Sequence, residues 1–307
     1  MKIVVLGCGY LGLNIANYLK KISQSNEITV IGMKNEYSEE LNKNILFIPL
    51  EIDNISNEIL EKYFKDSYVL DLLGNIMPIN KIDCLENELS KVYISKFRLL
   101  EKMNQYPPKL YIFFSSGGTI YGNENGLISE NHKTEPINVY GLQKLFFENL
   151  IRINYLENKK FNYINLRLAN PYGGYSSKNK NQGIIDVTLR KIYNNEEIEL
   201  WSDVKTLRDY IYIEDLAKIL QNIFLRDIKN ITLNVGSGKG CSLEEIFEKI
   251  ENTTSKKIKI IKKVIPNNTI KTNILDISLL KKIIDFKNFT DFKKGILETI
   301  KINGYKN

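Results

Sequence analysis

The chain of 307 residues contains a single histidine, His132. A Ser–His hydrolase and a histidine-centred metal site are therefore not expected, and acid–base chemistry near neutrality must come from another side chain. The three cysteines, Cys8, Cys84 and Cys241, lie far apart without paired spacing, which excludes a zinc pattern and a disulfide framework. No apolar run approaches the roughly 20 residues that span a bilayer. The apolar start is short and broken by glycines, so it does not read as a signal peptide, and a cytoplasmic location without membrane attachment is expected. Repeats, low-complexity runs and flexible linkers are also missing. The net charge is +7, but no dense basic stripe with interleaved aromatics occurs. Solvated lysines account for the excess, nucleic-acid binding is not expected, and a mild positive balance suits an anionic small substrate.

What is present begins at the first residue. Lys2 to Leu6 is a short apolar strand. Gly7, Cys8, Gly9, Tyr10, Leu11 and Gly12 follow, and then a helical pattern through Ile15, Leu19 and Ile22. Strand, glycine-rich turn and helix form the opening of a dinucleotide-binding unit. Gly7 suits the tight turn, Gly9 leaves room for a pyrophosphate, and Gly12 lets the helix pack on the strand. The helix start offers N–H groups and a positive dipole end to the phosphates.

Further strands are expected at 27–31, 45–48, 68–73 and 110–114, with helices at 59–64 and 85–103 between them. This alternation predicts an α/β Rossmann fold, a doubly wound parallel sheet covered on both faces, over residues 1–170. Beyond it, helices are expected at 182–193, 213–224, 243–250 and 292–300, and strands at 231–235 and 258–261. Residues 171–307 then form a smaller α/β substrate lobe, with segments near 207–216 and 231–238 returning to the first domain. The second strand ends in Gly32, Met33 and Lys34, without the acidic residue that takes ribose hydroxyls in NAD-binding units. Lys34 either favours the extra phosphate of NADP or is a surface lysine beside NAD held by backbone contacts.

The fifth strand runs into Ser115-Ser116-Gly117-Gly118-Thr119-Ile120-Tyr121-Gly122, at the sheet edge where ligands bind in such folds. Tyr140 and Lys144 begin a later helix four residues apart and so share one face. An ammonium beside a phenol favours the phenolate and lowers its pKa from about 10. Tyr155 and Lys159 repeat the spacing late on the same helix, where they read as solvated.

These features together resemble the extended short-chain dehydrogenase/reductase superfamily, in particular NAD(P)-dependent nucleotide-sugar epimerases and dehydratases of the UDP-glucose 4-epimerase-like type. The motifs GCGYLG, SSGGTIYG, YGLQK, RLANPYGG, LRDYIYIEDL and NVGSG occur in the order that group shows. The resemblance implies that Tyr140 is the acid/base residue and that Lys144 binds the nicotinamide ribose and tunes it. Gly7, Gly9, Tyr10, Leu11, Gly12, Lys34 and Leu73 would border the NAD or NADP. Asn170, Trp201 and Arg208 would contact the nucleotide sugar, although Trp201 also reads as core and Arg208 as a partner of Asp209. The usual hydroxyl position falls on Gly117, so Ser116 or Thr119 must supply that group, with Ser116 preferred. Where relatives carry a further arginine, this chain has Ile265 to Asn268; Lys271, Lys178 or Lys180 would replace its charge.

The implied reaction inverts C4 of a nucleotide sugar through a 4-keto intermediate, in surface-polysaccharide precursor synthesis. An NADPH-dependent 4-keto-sugar reductase is the alternative. A 4,6-dehydratase fits less well, because Gly118 and Thr119 replace its acid and base, and a non-catalytic dinucleotide sensor remains a rival from another class. A homodimer is expected, through helices near 89–100 and 145–153.

Overall fold

The computed structural model describes residues 1–74, 92–124, 126–264 and 270–306. Seven strands form one sheet: β1 (Lys2–Leu6), β2 (Glu27–Gly32), β3 (Leu46–Pro49), β4 (Tyr68–Asp71), β5 (Leu110–Ser116), β7 (Asn162–Leu168) and β11 (Ile231–Val235). Their order is β11-β7-β5-β4-β1-β2-β3 and every neighbouring pair is parallel. The chain starts in the middle at β1, winds outward to β3, and crosses back to β4. The switch between β1 and β4 opens a crevice at the carboxyl ends of the strands, where open α/β sheets bind ligands.

The strands are Val-, Ile- and Phe-rich because both faces are covered. Ile3 and Val5 pack on one side with α1 (Tyr10–Ile22) and with α6 (Ile213–Leu225); Val4 and Leu6 pack on the other with α3 (Ile94–Met103) and α4 (Val139–Asn158). Asn138 caps α4 by accepting from Gly141 N, and Lys159, left-handed at φ 50°, ends it. The intervening helices are α2 (Glu36–Glu39) and α5 (Ile184–Tyr193). No helix among the described residues is long and apolar enough to cross a membrane.

The second lobe is built on short strands. β10 (Leu207–Tyr212) pairs with β8 (Asn170–Tyr172), β12 (Gly240–Ser242) and β14 (Thr272–Leu275), and β14 pairs with β6 (Leu127–Ile128). β9 (Ile198–Leu200) and β13 (Ile260–Lys262) form a separate ribbon. Helix α7 (Leu243–Thr254) starts at a capping box of Ser242 and Glu245.

Several boundaries differ from the sequence expectation. β4 ends at Asp71 because its carboxylate accepts from Leu73 N and turns the chain. β5 runs on to Ser116. Residues 59–64 belong to a helical turn, Asn57–Ile59, that continues as a π-turn, Leu60–Phe64. Of the helix expected over 85–103, residues 85–91 lie outside the described residues, as do Cys84 and 265–268.

The sheet edge depends on one close approach. A β-carbon on residue 12 would stand 1.9 Å from the carbonyl oxygen of Gly7. Gly12→Ala is therefore expected to destabilise the fold by about 1–3 kcal/mol, as other overpacking substitutions do, measured as a lower urea midpoint at unchanged slope.

Candidate active site

The glycine turn lies at the carboxyl end of β1. Gly7 takes φ +98° and donates its N–H to Ile31 O at 2.8 Å. Gly9 caps α1 without a side chain, no acidic residue stands in the first turn of the helix, and a β-carbon at residue 9 would meet nothing within 4 Å. The turn thus presents open space and backbone donors, which fits a dinucleotide pyrophosphate. Leu73 borders it: its side chain lies 3.6 Å from a β-carbon built on Gly7. Beyond β2, Met33 and Lys34 are exposed. Asn35 caps α2 and donates to Cys8 O at 2.9 Å, so this loop is held against the turn by an amide and not by a carboxylate.

Asn14 escaped the sequence reading. It is buried in α1, accepts from Tyr175 N and donates to Tyr175 O, while the Tyr10 hydroxyl donates to Gly173 O. These bonds clamp the start of α1 to the 173–175 segment that leads into the second lobe. A polar residue on an otherwise apolar helix face was the available signal.

At the end of β5, Ser116 stands close enough to the Tyr140 hydroxyl to favour its ionised form. The sequence alternatives divide here. Thr119 is buried and its hydroxyl has no partner among the described residues, whereas Ser116 meets the phenol. Gly117 cannot supply the hydroxyl, because a β-carbon there would lie 2.6 Å from Leu275 Cδ1 and 3.1 Å from Arg167 O. Lys144 is buried, donates to Phe114 O at 2.7 Å, and its ammonium lies 5.5 Å from the Tyr140 ring centroid.

The expected lowering of the phenol pKa by this lysine is corrected by the structure. Burial raises the Tyr140 pKa, and only the neighbouring Ser116 acts downward. Burial also lowers the Lys144 ammonium to about 8, with Asp71 and then Glu148 acting against it. Of the second pair, Lys159 is exposed as expected, whereas Tyr155 is half-buried and its hydroxyl accepts from Asn230 at 3.0 Å.

A cavity of about 210 Å³ in the second lobe is lined by Asn170, Arg208, Tyr210, Ser202 and Thr206, among others. Asn170 Nδ2 donates to Asp209 O at 2.9 Å. Arg208 donates to Leu207 O and Ile270 O. It is not paired with Asp209, whose carboxylate accepts from Ser237 and Gly238 on the other side of the strand. Trp201 is 51% exposed under Lys263 and does not line this cavity. Lys180 is paired with Asp186 at 2.6 Å and covers the Tyr10 ring, so its charge is already engaged. Lys178 and Lys271 are exposed.

A doubly wound sheet with this glycine turn and a Ser–Tyr–Lys constellation at its ligand edge defines a dinucleotide-dependent enzyme of the short-chain dehydrogenase/reductase type. The chain belongs to the NAD dependent epimerase/dehydratase family, whose model matches residues 3–236. It is 26% identical over 294 residues to the UDP-glucose 4-epimerase of Bacillus subtilis, with 83% of each chain covered. It is 35% identical over 176 residues to a dTDP-4-dehydro-6-deoxyglucose reductase of Escherichia coli, covering 57% of this chain and 54% of that one. Among solved structures, the UDP-N-acetylglucosamine 4-epimerase of Methanobrevibacter ruminantium, in complex with UDP-N-acetylmuramic acid, superposes with a TM-score of 0.86 at 26% identity, over 98% of this chain and 97% of that one.

Two substitutions test the site. Gly9→Ala is expected to leave the unliganded fold within about 1 kcal/mol of its stability, while affinity for NAD or NADP falls at least about tenfold by calorimetric titration, because the added methyl occupies the phosphate approach. Gly117→Ser is expected to cost about 1–3 kcal/mol through overlap with Leu275, and Leu275→Ala in the same chain to recover part of that loss in the urea midpoint.

Proposed function

We propose that the protein is an NAD(P)-dependent nucleotide-sugar epimerase that inverts C4 through a 4-keto sugar. The observation that carries this reading is the buried Lys144 ammonium, fixed on Phe114 O and 5.5 Å from the Tyr140 ring, with Ser116 ending the same strand beside the phenol. Bound dinucleotide supplies the hydride acceptor and donor. Tyr140, as phenolate, takes the proton from the C4 hydroxyl and later returns it, and Ser116 orients that hydroxyl. Lys144, with its ammonium 5.5 Å from the ring, is the cation that would face the phenolate during the transfer. Asn170 and Arg208 would hold the sugar diphosphate, where a charge-assisted contact is strong. Lys178 and Lys271 are the exposed cations available for the outer phosphate.

The second reading is a nucleotide 4-keto-sugar reductase using NADPH. Two observations favour it: no carboxylate stands at the end of β2, which reads Gly32, Met33 and Lys34, and the E. coli reductase is the more identical of the relatives named above over its matched segment. Tyr140 would then donate its proton to the incoming ketone.

A homodimer fits the exposed apolar residues Leu142, Phe146, Ile153 and Leu156 on α4 with Ile94 and Phe97 on α3, a stripe at helical spacing. Sedimentation should give twice the chain mass, and Phe97→Glu with Phe146→Glu should give the monomer.

Purified protein incubated with UDP-glucose or UDP-galactose, without added cofactor, should interconvert the two. Tyr140→Phe should lower kcat by about 10²–10⁴-fold. Turnover only of a 4-keto nucleotide sugar with added NADPH would select the reductase, and unchanged turnover in Tyr140→Phe would remove both readings.

A further inference from the structure

Beneath the site lies a cluster of buried charge that the mechanism above does not use. Asp71 ends β4 and is 1% exposed. Its Oδ2 accepts from Lys96 Nζ at 2.8 Å and from the Tyr111 hydroxyl, and its Oδ1 accepts from Leu73 N at 2.9 Å. Lys96, on α3, is 3% exposed. The ammonium nitrogens of Lys96 and Lys144 lie 4.7 and 4.9 Å from the centroid of the same Phe113 ring. Two buried cations therefore stand on one aromatic ring, and the carboxylate bonded to one of them is the acidic group that acts most on the other.

The other groups facing Lys144 have their own partners. From β5, Phe114 O accepts one of its protons. From its own helix, Glu148 is held by Arg167 of β7, with Nη2 to Oε2 at 2.7 Å and Nε bonded to both carboxylate oxygens. Tyr140 stands one turn above, and Gly74, on the chain leaving β4, comes within 3.9 Å by its would-be β-carbon. Asp71 is the charge that opposes the burial of Lys144 most, and burial and Lys144 both depress the Lys96 ammonium, to about 8. A buried ion pair adds little net stability over apolar packing, so fold stability alone gives no reason for a lysine at position 96.

We propose that Asp71 is a counter-ion shared by two buried ammonium groups, and that Lys96, by competing for it, sets the charge that Lys144 presents to Tyr140. Both are positioning residues, acting on the reaction only through Lys144, and the proposal rests on the reading of Tyr140 and Lys144 as the acid–base pair. Neutralising Asp71 leaves two ammonium groups in one apolar pocket, and one of them sheds its proton; Lys144 then stops supporting the phenolate. Removing Lys96 leaves Asp71 to Lys144 alone. The two substitutions act in opposite directions, which a packing role does not produce.

The test follows Tyr140 ionisation by tyrosinate absorbance in protein saturated with NAD⁺, each variant differenced against the same variant carrying Tyr140→Phe. Asp71→Asn, which keeps an oxygen for Leu73 N, is expected to raise the Tyr140 midpoint by about one pH unit, and Lys96→Met to lower it by a similar amount. Thermal melting checks that each variant folds, and Lys96→Met decides alone if Asp71→Asn does not. Midpoints that stay put, or that move in the same direction, overturn the shared counter-ion and leave the acid–base reading standing. A Tyr140 that ionises in no variant overturns both.

Discussion

The donation from Lys144 Nζ to the carbonyl of Phe114 fastens helix α4 to strand β5. The helix runs opposite to the strand, so moving back along α4 is moving forward along β5. Four helical residues rise about 6 Å and two strand residues rise about 6.6 Å. With Lys144 fixed at Phe114, Tyr140 is carried to the level of Ser116, and the phenol meets that hydroxyl. The spacing of the tyrosine–lysine pair is thereby matched to the pleat of the strand beneath it, and the position of the tyrosine depends on a backbone carbonyl.

The same fastening puts charge where water is excluded. A parallel sheet covered on both faces offers a buried ammonium few partners besides carbonyl oxygens, ring faces and carboxylates. Phe114 O, Phe113 and Asp71 supply one of each near Lys144. Burial still depresses the lysine and raises the tyrosine, so proximity of a cation to a phenol does not by itself make a base. What matters is whether the cation keeps its proton, and that turns on a carboxylate at the end of a different strand.

The main sheet was legible because its strands are short apolar runs bounded by turn residues, as in KIVVL and LYIFF. The substrate lobe was less so: β6, β8, β9 and β12 have two or three residues each, too few for any period to show. The glycine turn and the Tyr140–Lys144 pair could be read because both are local patterns. That position 117 is a glycine is explained by Leu275, far along the chain, whose side chain fills the place of a β-carbon. Asp71 and Lys96 gave no signal. One interrupts an apolar strand and the other sits in an amphipathic helix, where a lysine reads as solvated until the fold turns it inward. Trp201 goes the opposite way: a lone tryptophan reads as core, and the fold leaves it half exposed.

Strand β10 resolves another ambiguity by simple alternation. Arg208 and Asp209 are adjacent, so their side chains leave opposite faces of the strand. Asp209 is directed to the 237–238 turn, where it accepts from Ser237 and Gly238 and fixes the link between the lobes. Arg208 is left facing the cavity with no carboxylate of its own among the described residues. A guanidinium held only by two carbonyl oxygens retains donors for an incoming anion. Opposite it, Asn170 is held by the backbone of the same strand. β10 thus carries a structural carboxylate on one face and a cavity-facing cation on the other, and the order of the two residues determines which one lines the cavity.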